Sequence, residues 1–158
     1  MRVAQFAPTV LVADDDPDDR LMIQEAFEER VTGCRLYFVE DGAELMEYLR
    51  KTYDPTDTSG NQCPNLILLD LNMPLKDGRQ ALREIKSNPD FRAIPTVILS
   101  TSQNEDDIAA CYDLGANSYI VKPASYSDLL GITDTLRQYW MDTVELSIKR
   151  ERHDKYRP

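Results

Sequence analysis

The run Leu66-Ile67-Leu68-Leu69-Asp70-Leu71-Asn72-Met73-Pro74 constrains this chain more than any other stretch. Four consecutive large aliphatics are too few for a membrane span and suit a strand buried on both faces of a parallel sheet. Asp70 closes that strand. A carboxylate desolvated there without a partner costs several kcal/mol, so its place where a buried strand surfaces calls for a cation or a reaction. In open parallel sheets that edge is where ligands bind. Met73-Pro74 bends the chain at once, and Asp77-Gly78 turns it into the next helix.

The remaining segments fall into the same alternation. Thr9 to Ala13 is a β-rich run that ends abruptly in Asp14-Asp15-Asp16-Pro17-Asp18-Asp19. Pro17 suits the first turn of a helix, and Asp18 and Asp19 suit its positive end. That helix is expected to reach about Arg30, with Ile23, Ala26, Phe27 and Arg30 on one stripe and Gly33 as its stop. Leu36 to Val39 reads as a second strand, followed by a helix turning Leu45, Met46 and Leu49 inward. Residues 52–64 read as a polar surface loop. After the central strand, a helix from Gly78 to Ser87 buries Ala81, Leu82 and Ile85, and Asn88-Pro89 ends it. Pro95 to Ser100 is the fourth strand. Asn104 then caps a helix carrying Ile108, Cys111 and Tyr112, and Gly115 stops it. Tyr119 to Val121 is the fifth strand and runs into Lys122-Pro123; Ser125 begins a last helix.

Leu129, Ile132, Leu136, Tyr139, Trp140, Val144 and Ile148 keep helical steps along that last segment. Such a stripe outlasts a sheet-covering helix, so either the helix continues past the body or an extended segment begins near Met141. An exposed apolar stripe would want a second subunit. Five strands alternating with five helices predict an α/β domain whose parallel sheet is covered on both faces, a three-layer sandwich.

Composition bounds the function. At 158 residues and 42% hydrophobic content, the chain suits one domain with a real core. Its net charge of -10 argues against nucleic acid as a direct partner. The charge is uneven, since the last ten residues hold five basic side chains against two acidic ones. Cys34, Cys63 and Cys111 are widely spaced and odd in number, which fits reduced thiols in the cytoplasm. Neither a signal peptide nor a membrane span is evident.

Chemistry emerges from the strand ends. In a parallel sheet, Asp14-Asp15, Asp70, Ser100-Thr101 and Lys122 would share one rim. Clustered carboxylates repel unless a cation sits among them, and hard oxygen ligands suit Mg²⁺. A metal beside a carboxylate that also faces an ammonium and a hydroxyl is a place to hold a phosphoryl group.

The pattern Val12-Ala13-Asp14-Asp15, Leu69-Asp70-Leu71-Asn72-Met73-Pro74 with Asp77-Gly78, then Ser100, Gly115-Ala116 and Tyr119 to Lys122-Pro123 closely resembles the receiver domain of two-component response regulators. The resemblance covers roughly residues 9–140 and implies a receiver domain of 9–142, leaving 1–8 as an N-terminal extension and 143–158 as a tail without an output domain. It implies a flavodoxin-like fold of strand order 2-1-3-4-5, in which Asp70 takes a phosphoryl group from a phosphohistidine of a sensor histidine kinase or phosphotransfer protein. It further implies Mg²⁺ or Mn²⁺ held by Asp14, Asp15, Asp70 and the backbone carbonyl of Asn72, with Asp15 the more direct ligand. Ser100 would be the switch hydroxyl, Lys122 the partner of the phosphoryl oxygens, and Tyr119 the aromatic that fills the space Ser100 vacates. Lys122-Pro123 would carry a cis peptide. Ser102 and Asn72 would flank the entry of hydrolytic water.

The loop before Pro64 and the Tyr139-Trp140 ending resemble the stand-alone regulators paired with phytochrome-type histidine kinases, often homodimeric. That places a possible dimer contact on the face formed by helix four, strand five and helix five. Such a chain signals by protein contact and is not an enzyme on other substrates. Two rival readings use the same residues. A phosphatase resembling the haloacid dehalogenase family would take Asp14 as nucleophile and Asp16 as acid-base, but its late acidic pair is missing. A binding scaffold independent of phosphorylation would have no need of the full acidic set with Ser100 and Lys122.

Overall fold

The computed structural model describes residues 7–147. The elements alternate as β1 (Thr9–Ala13), α1 (Pro17–Arg30), β2 (Arg35–Val39), α2 (Gly42–Tyr53), β3 (Leu66–Leu69), α3 (Gly78–Ser87), β4 (Thr96–Ser100), α4 (Glu105–Leu114), β5 (Ser118–Val121) and α5 (Tyr126–Leu136). All strand pairings are parallel, and the sheet order is β2-β1-β3-β4-β5, as expected.

Strand alternation splits the core in two. Leu11, Ala13, Ile67, Leu69 and Ile98 face α2, α3 and α4, meeting Leu45, Met46, Leu49, Ala81, Leu82, Ile85 and Cys111. Val10, Val12, Leu66, Leu68, Val97 and Leu99 face α1 and α5, meeting Ile23, Ala26, Phe27, Leu129 and Leu136. The central strands are buried on both faces, which is why they read as unbroken apolar runs. Each fully buried aliphatic contributes on the order of 2 kcal/mol.

Local chemistry sets the helix ends. Asp16 caps α1 by accepting from the Asp18 amide at 2.8 Å, ahead of Pro17 in the first turn. Asp77 and Gln80 form a reciprocal capping box on α3. Asn104 caps α4, and Gly115 closes it at φ 106, a conformation that favours glycine. The stop of α1 lies at Val31, two residues before Gly33.

Gly78 matters for a different reason. A β-carbon there would overlap the backbone carbonyl of Asp70, and the Gly78 amide donates to the Leu71 carbonyl at 2.8 Å. The β3–α3 loop is thus folded back against the end of the central strand. Gly78→Ala is expected to cost about 1–3 kcal/mol, the usual range for forced overpacking. A urea midpoint equal to that of the parent chain would refute this close approach.

At the end of the chain helical winding continues beyond α5, but as a π-helical stretch, Arg137–Thr143, and the backbone becomes extended at Val144, three residues past Met141. There the Asn65 side chain donates to the Ser147 carbonyl at 3.3 Å while accepting from the Thr9 amide at 2.8 Å, tying this segment to the foot of β1 and β3. In α4 only Cys111 is buried, whereas Tyr112 is 49% exposed. Ile148, most of the 143–158 tail and the first six residues of the 1–8 extension lie outside the described residues. Among the described residues no helix is long and apolar enough to cross a membrane.

Candidate functional site

Register brings the polar residues together. Ala13 pairs with Leu69, so Asp14 and Asp70 follow side by side, and the Asp70 amide donates to the Ala13 carbonyl at 3.0 Å. Ser100 pairs with Val121, and the next residue, Lys122, donates its amide to the Ser100 carbonyl at 2.8 Å. Four strands therefore deliver Asp14, Asp70, Ser100 and Lys122 to one rim.

The Lys122 ammonium sits at the centre. Its Nζ lies 2.7 Å from Asp14 Oδ2, 2.8 Å from Asp19 Oδ2 and 3.1 Å from Asp70 Oδ2. A Lys has three protons to donate, and three carboxylates are in reach of them. Asp14 and Asp70 are buried, while Asp15 is exposed. Burial pushes the Asp14 and Asp70 carboxyls above the ordinary aspartate range, and Lys122 only partly opposes this. Burial also acts to lower the Lys122 pKa, but Asp14, Asp19 and Asp70 outweigh it and leave the ammonium above ordinary lysine.

One oxygen from each of Asp14, Asp15 and Asp70 lies within 4.8 Å of the others. Two of these are buried carboxylates whose charge a single Lys does not fully compensate. Hard oxygen donors in that electrostatic position fit a divalent cation such as Mg²⁺ or Mn²⁺. Asn72 is exposed just beyond, and its backbone slightly favours the ionised Asp70 carboxylate.

Ser100 and Tyr119 lie beside this cluster. The buried Ser100 Oγ accepts from the Ser102 amide at 3.3 Å. Tyr119 pairs with Ile98 and so points into the α2–α4 side of the core, where its hydroxyl donates to the Ser102 carbonyl at 2.8 Å. Tyr119 is thus partly buried, with its hydroxyl held by the β4–α4 loop. The described residues contain no cis peptide bond, so the expected cis Lys122-Pro123 bond is trans; the two X-Pro isomers lie within about 1 kcal/mol, and the residue pair alone does not choose between them.

Asp19 is the residue that sequence reasoning missed. Its place in the first turn of α1 had a sufficient explanation in the helix dipole, and only the tertiary structure shows it reaching Lys122. Asp16, the acid-base of the phosphatase reading, is instead exposed and committed to capping α1.

Comparison with known proteins agrees with this geometry. The family described as response regulator receiver domain matches residues 10–134. The response regulator Rcp1 of Synechocystis sp. is 39% identical over 137 residues, covering 87% of this chain and 91% of its own. The crystal structure of the phosphorylated cyanobacterial phytochrome response regulator RcpA superposes with a TM-score of 0.82 at 41% identity, covering 90% of this chain and 100% of that one. The Mn²⁺-bound form of Rcp1 superposes with a TM-score of 0.80 at 38% identity, covering 89% and 99%. With strand order, rim chemistry and sequence in agreement, this chain belongs to the response regulator receiver domain family.

Proposed function

We propose that Asp70 accepts the phosphoryl group of a phosphohistidine on a sensor histidine kinase or phosphotransfer protein, and that this chain signals by protein contact. The observation that carries the reading is the convergence of Asp14, Asp19 and Asp70 on one nearly buried ammonium. A carboxylate oxygen of Asp70 attacks phosphorus in line, forming a P–O bond as the P–N bond to the imidazole breaks and its electron pair stays on the ring nitrogen. Lys122 turns part of its hydrogen bonding from the carboxylates to the new phosphoryl oxygens. Ser100 donates its hydroxyl to another of those oxygens, and drawing Oγ toward the phosphoryl group would lengthen the 3.3 Å contact by which it accepts from the Ser102 amide. Asp14, Asp15, Asp70 and the Asn72 carbonyl would hold the divalent cation, which when bound neutralises charge on the transferring oxygens. Residues 9–142 form the signalling unit in this reading.

The rim also suits a protein phosphodonor. Leu75 is 86% exposed at a left-handed φ of 64, and Leu21 and Met22 are exposed on α1. A strained backbone that presents Leu75 beside the phosphorylation site fits a docking role. RcpA is described as a phytochrome response regulator, which supports a phytochrome-type kinase as the donor here. Beryllofluoride, which mimics a phosphoryl group, separates signalling from a phosphorylation-independent scaffold: saturable, Mg²⁺-dependent binding is expected, and its absence favours the scaffold.

Homodimerisation through the β5–α5 part of the α4-β5-α5 face has its own support. Asn117, Ser118, Ile120, Thr135, Leu136, Tyr139 and Trp140 line a groove of about 380 Å³, and Tyr139 is 52% exposed. The Tyr139 and Trp140 rings pack edge to face, 5.0 Å apart. Sedimentation of the parent chain should show a dimer, and Trp140→Ala should weaken it by about tenfold or more, as for a buried aromatic anchor. A monomer at all concentrations, with and without phosphodonor, removes the dimer.

A further inference from the structure

Outside the carboxylate cluster, one network joins four elements at a single residue. Ser102, in the β4–α4 loop, receives the Tyr119 hydroxyl on its carbonyl at 2.8 Å. Its amide donates to Ser100 Oγ at 3.3 Å, and its own hydroxyl donates to Asp107 Oδ2 at 2.7 Å. The other oxygen of Asp107 accepts from Arg79 Nη2 at 2.5 Å. Arg79 sits in the first turn of α3 and Asp107 in the first turn of α4, so this ion pair spans two helices and fixes the loop between β4 and α4. Ser102 and Arg79 hold the Asp107 carboxyl below the ordinary aspartate range.

We propose that the Arg79–Asp107 pair is a latch that positions Tyr119. By holding the Ser102 hydroxyl it fixes the Ser102 carbonyl, and that carbonyl keeps the Tyr119 ring inward before any phosphoryl group arrives. Arg79 and Asp107 touch neither Asp70 nor Lys122, so they are positioning residues that act through Ser102. The Ser102 amide meanwhile rests on Ser100, the hydroxyl that the phosphoryl group would claim. The latch therefore sets how much of the switch is already thrown in the unphosphorylated chain, a consequence that rests on the phosphoryl-transfer reading above. An ion pair this exposed is weak by itself. Its leverage comes from biasing a loop with two arrangements, where a small preference changes populations severalfold.

The test is ¹⁹F NMR of the full chain carrying 3-fluorotyrosine at position 119. The parent is expected to give a signal insensitive to exchange of H₂O for D₂O, as for a ring packed inside. Arg79→Ala and Asp107→Ala should each move a severalfold larger population to a solvent-sensitive signal, and Arg79→Lys should largely restore the parent pattern. Ser102→Ala should match Arg79→Ala, and the double variant should go no further, because both act on one relay. An unchanged Tyr119 signal in a folded Arg79→Ala chain, or independent effects of Arg79→Ala and Ser102→Ala, overturns the latch. Beryllofluoride with Mg²⁺ should return the Arg79→Ala signal inward. If the signal stays exposed despite bound beryllofluoride, the latch stands and the phosphoryl-driven movement of Tyr119 is what fails.

Discussion

Asp70→Asn should take up no phosphoryl group from acetyl phosphate under conditions that label the parent chain fully. The substitution keeps the shape of the side chain and replaces its nucleophilic oxyanion with an amide. Folding is not the reason for the loss. Burial already disfavours the ionised form of Asp70, and Lys122 retains Asp14 and Asp19 as partners when Asp70 becomes neutral. The variant should therefore unfold in urea at a denaturant concentration no lower than the parent's. Intact-mass measurement reads the labelling and the urea midpoint reads the fold. Undiminished labelling of the variant would remove Asp70 from the mechanism.

Lys122→Met is expected to have the largest effect on stability. Lys122 is nearly buried among Asp14, Asp19 and Asp70, and its loss leaves two buried carboxylates without their cation. Removing one partner of a buried ion pair costs about 3–5 kcal/mol, because the remaining charge stays desolvated. Urea unfolding in EDTA should show a loss toward the lower end of that range, since the pocket opens to water on the Asp15 side. Saturating Mg²⁺ should recover more stability in the variant than it adds to the parent, because the cation neutralises the same carboxylates. Equal losses with and without Mg²⁺ would mean that Lys122 and the metal site are electrostatically independent, contrary to the distances.

Both variants probe a rim that was largely legible in the sequence. The unbroken aliphatics of β1, β3 and β4 marked strands buried on both faces, and the polar residue ending each one marked the site. Local signals were also strong where a single side chain decides, as with Asn104 before α4 and Gly115 after it. Legibility failed where a residue had a sufficient local reading and a different tertiary one. Asp19 satisfied the helix dipole on paper and reaches Lys122 in space. Tyr112 keeps helical step with Ile108, yet its ring stays exposed while its hydroxyl accepts from the Tyr119 amide at 3.2 Å. The stripe through Trp140 carried the correct periodicity but no signal for the wider turns of Arg137–Thr143, where a π-helical step re-phases the side chains. The Arg79–Asp107 pair joins residues 28 apart in sequence, too far for any spacing rule to connect.

The most direct measurement is the position of the phosphoryl group itself. The parent chain is treated with acetyl phosphate, the acyl phosphate is trapped by borohydride reduction, and the modified residue is read by peptide mass spectrometry, once with Mg²⁺ and once with EDTA. Modification is expected at Asp70 alone and only when Mg²⁺ is present. Modification at Asp14 or elsewhere, or labelling of Asp70 that persists in EDTA, would contradict a rim in which carboxylates, ammonium and cation act together on one transferred group.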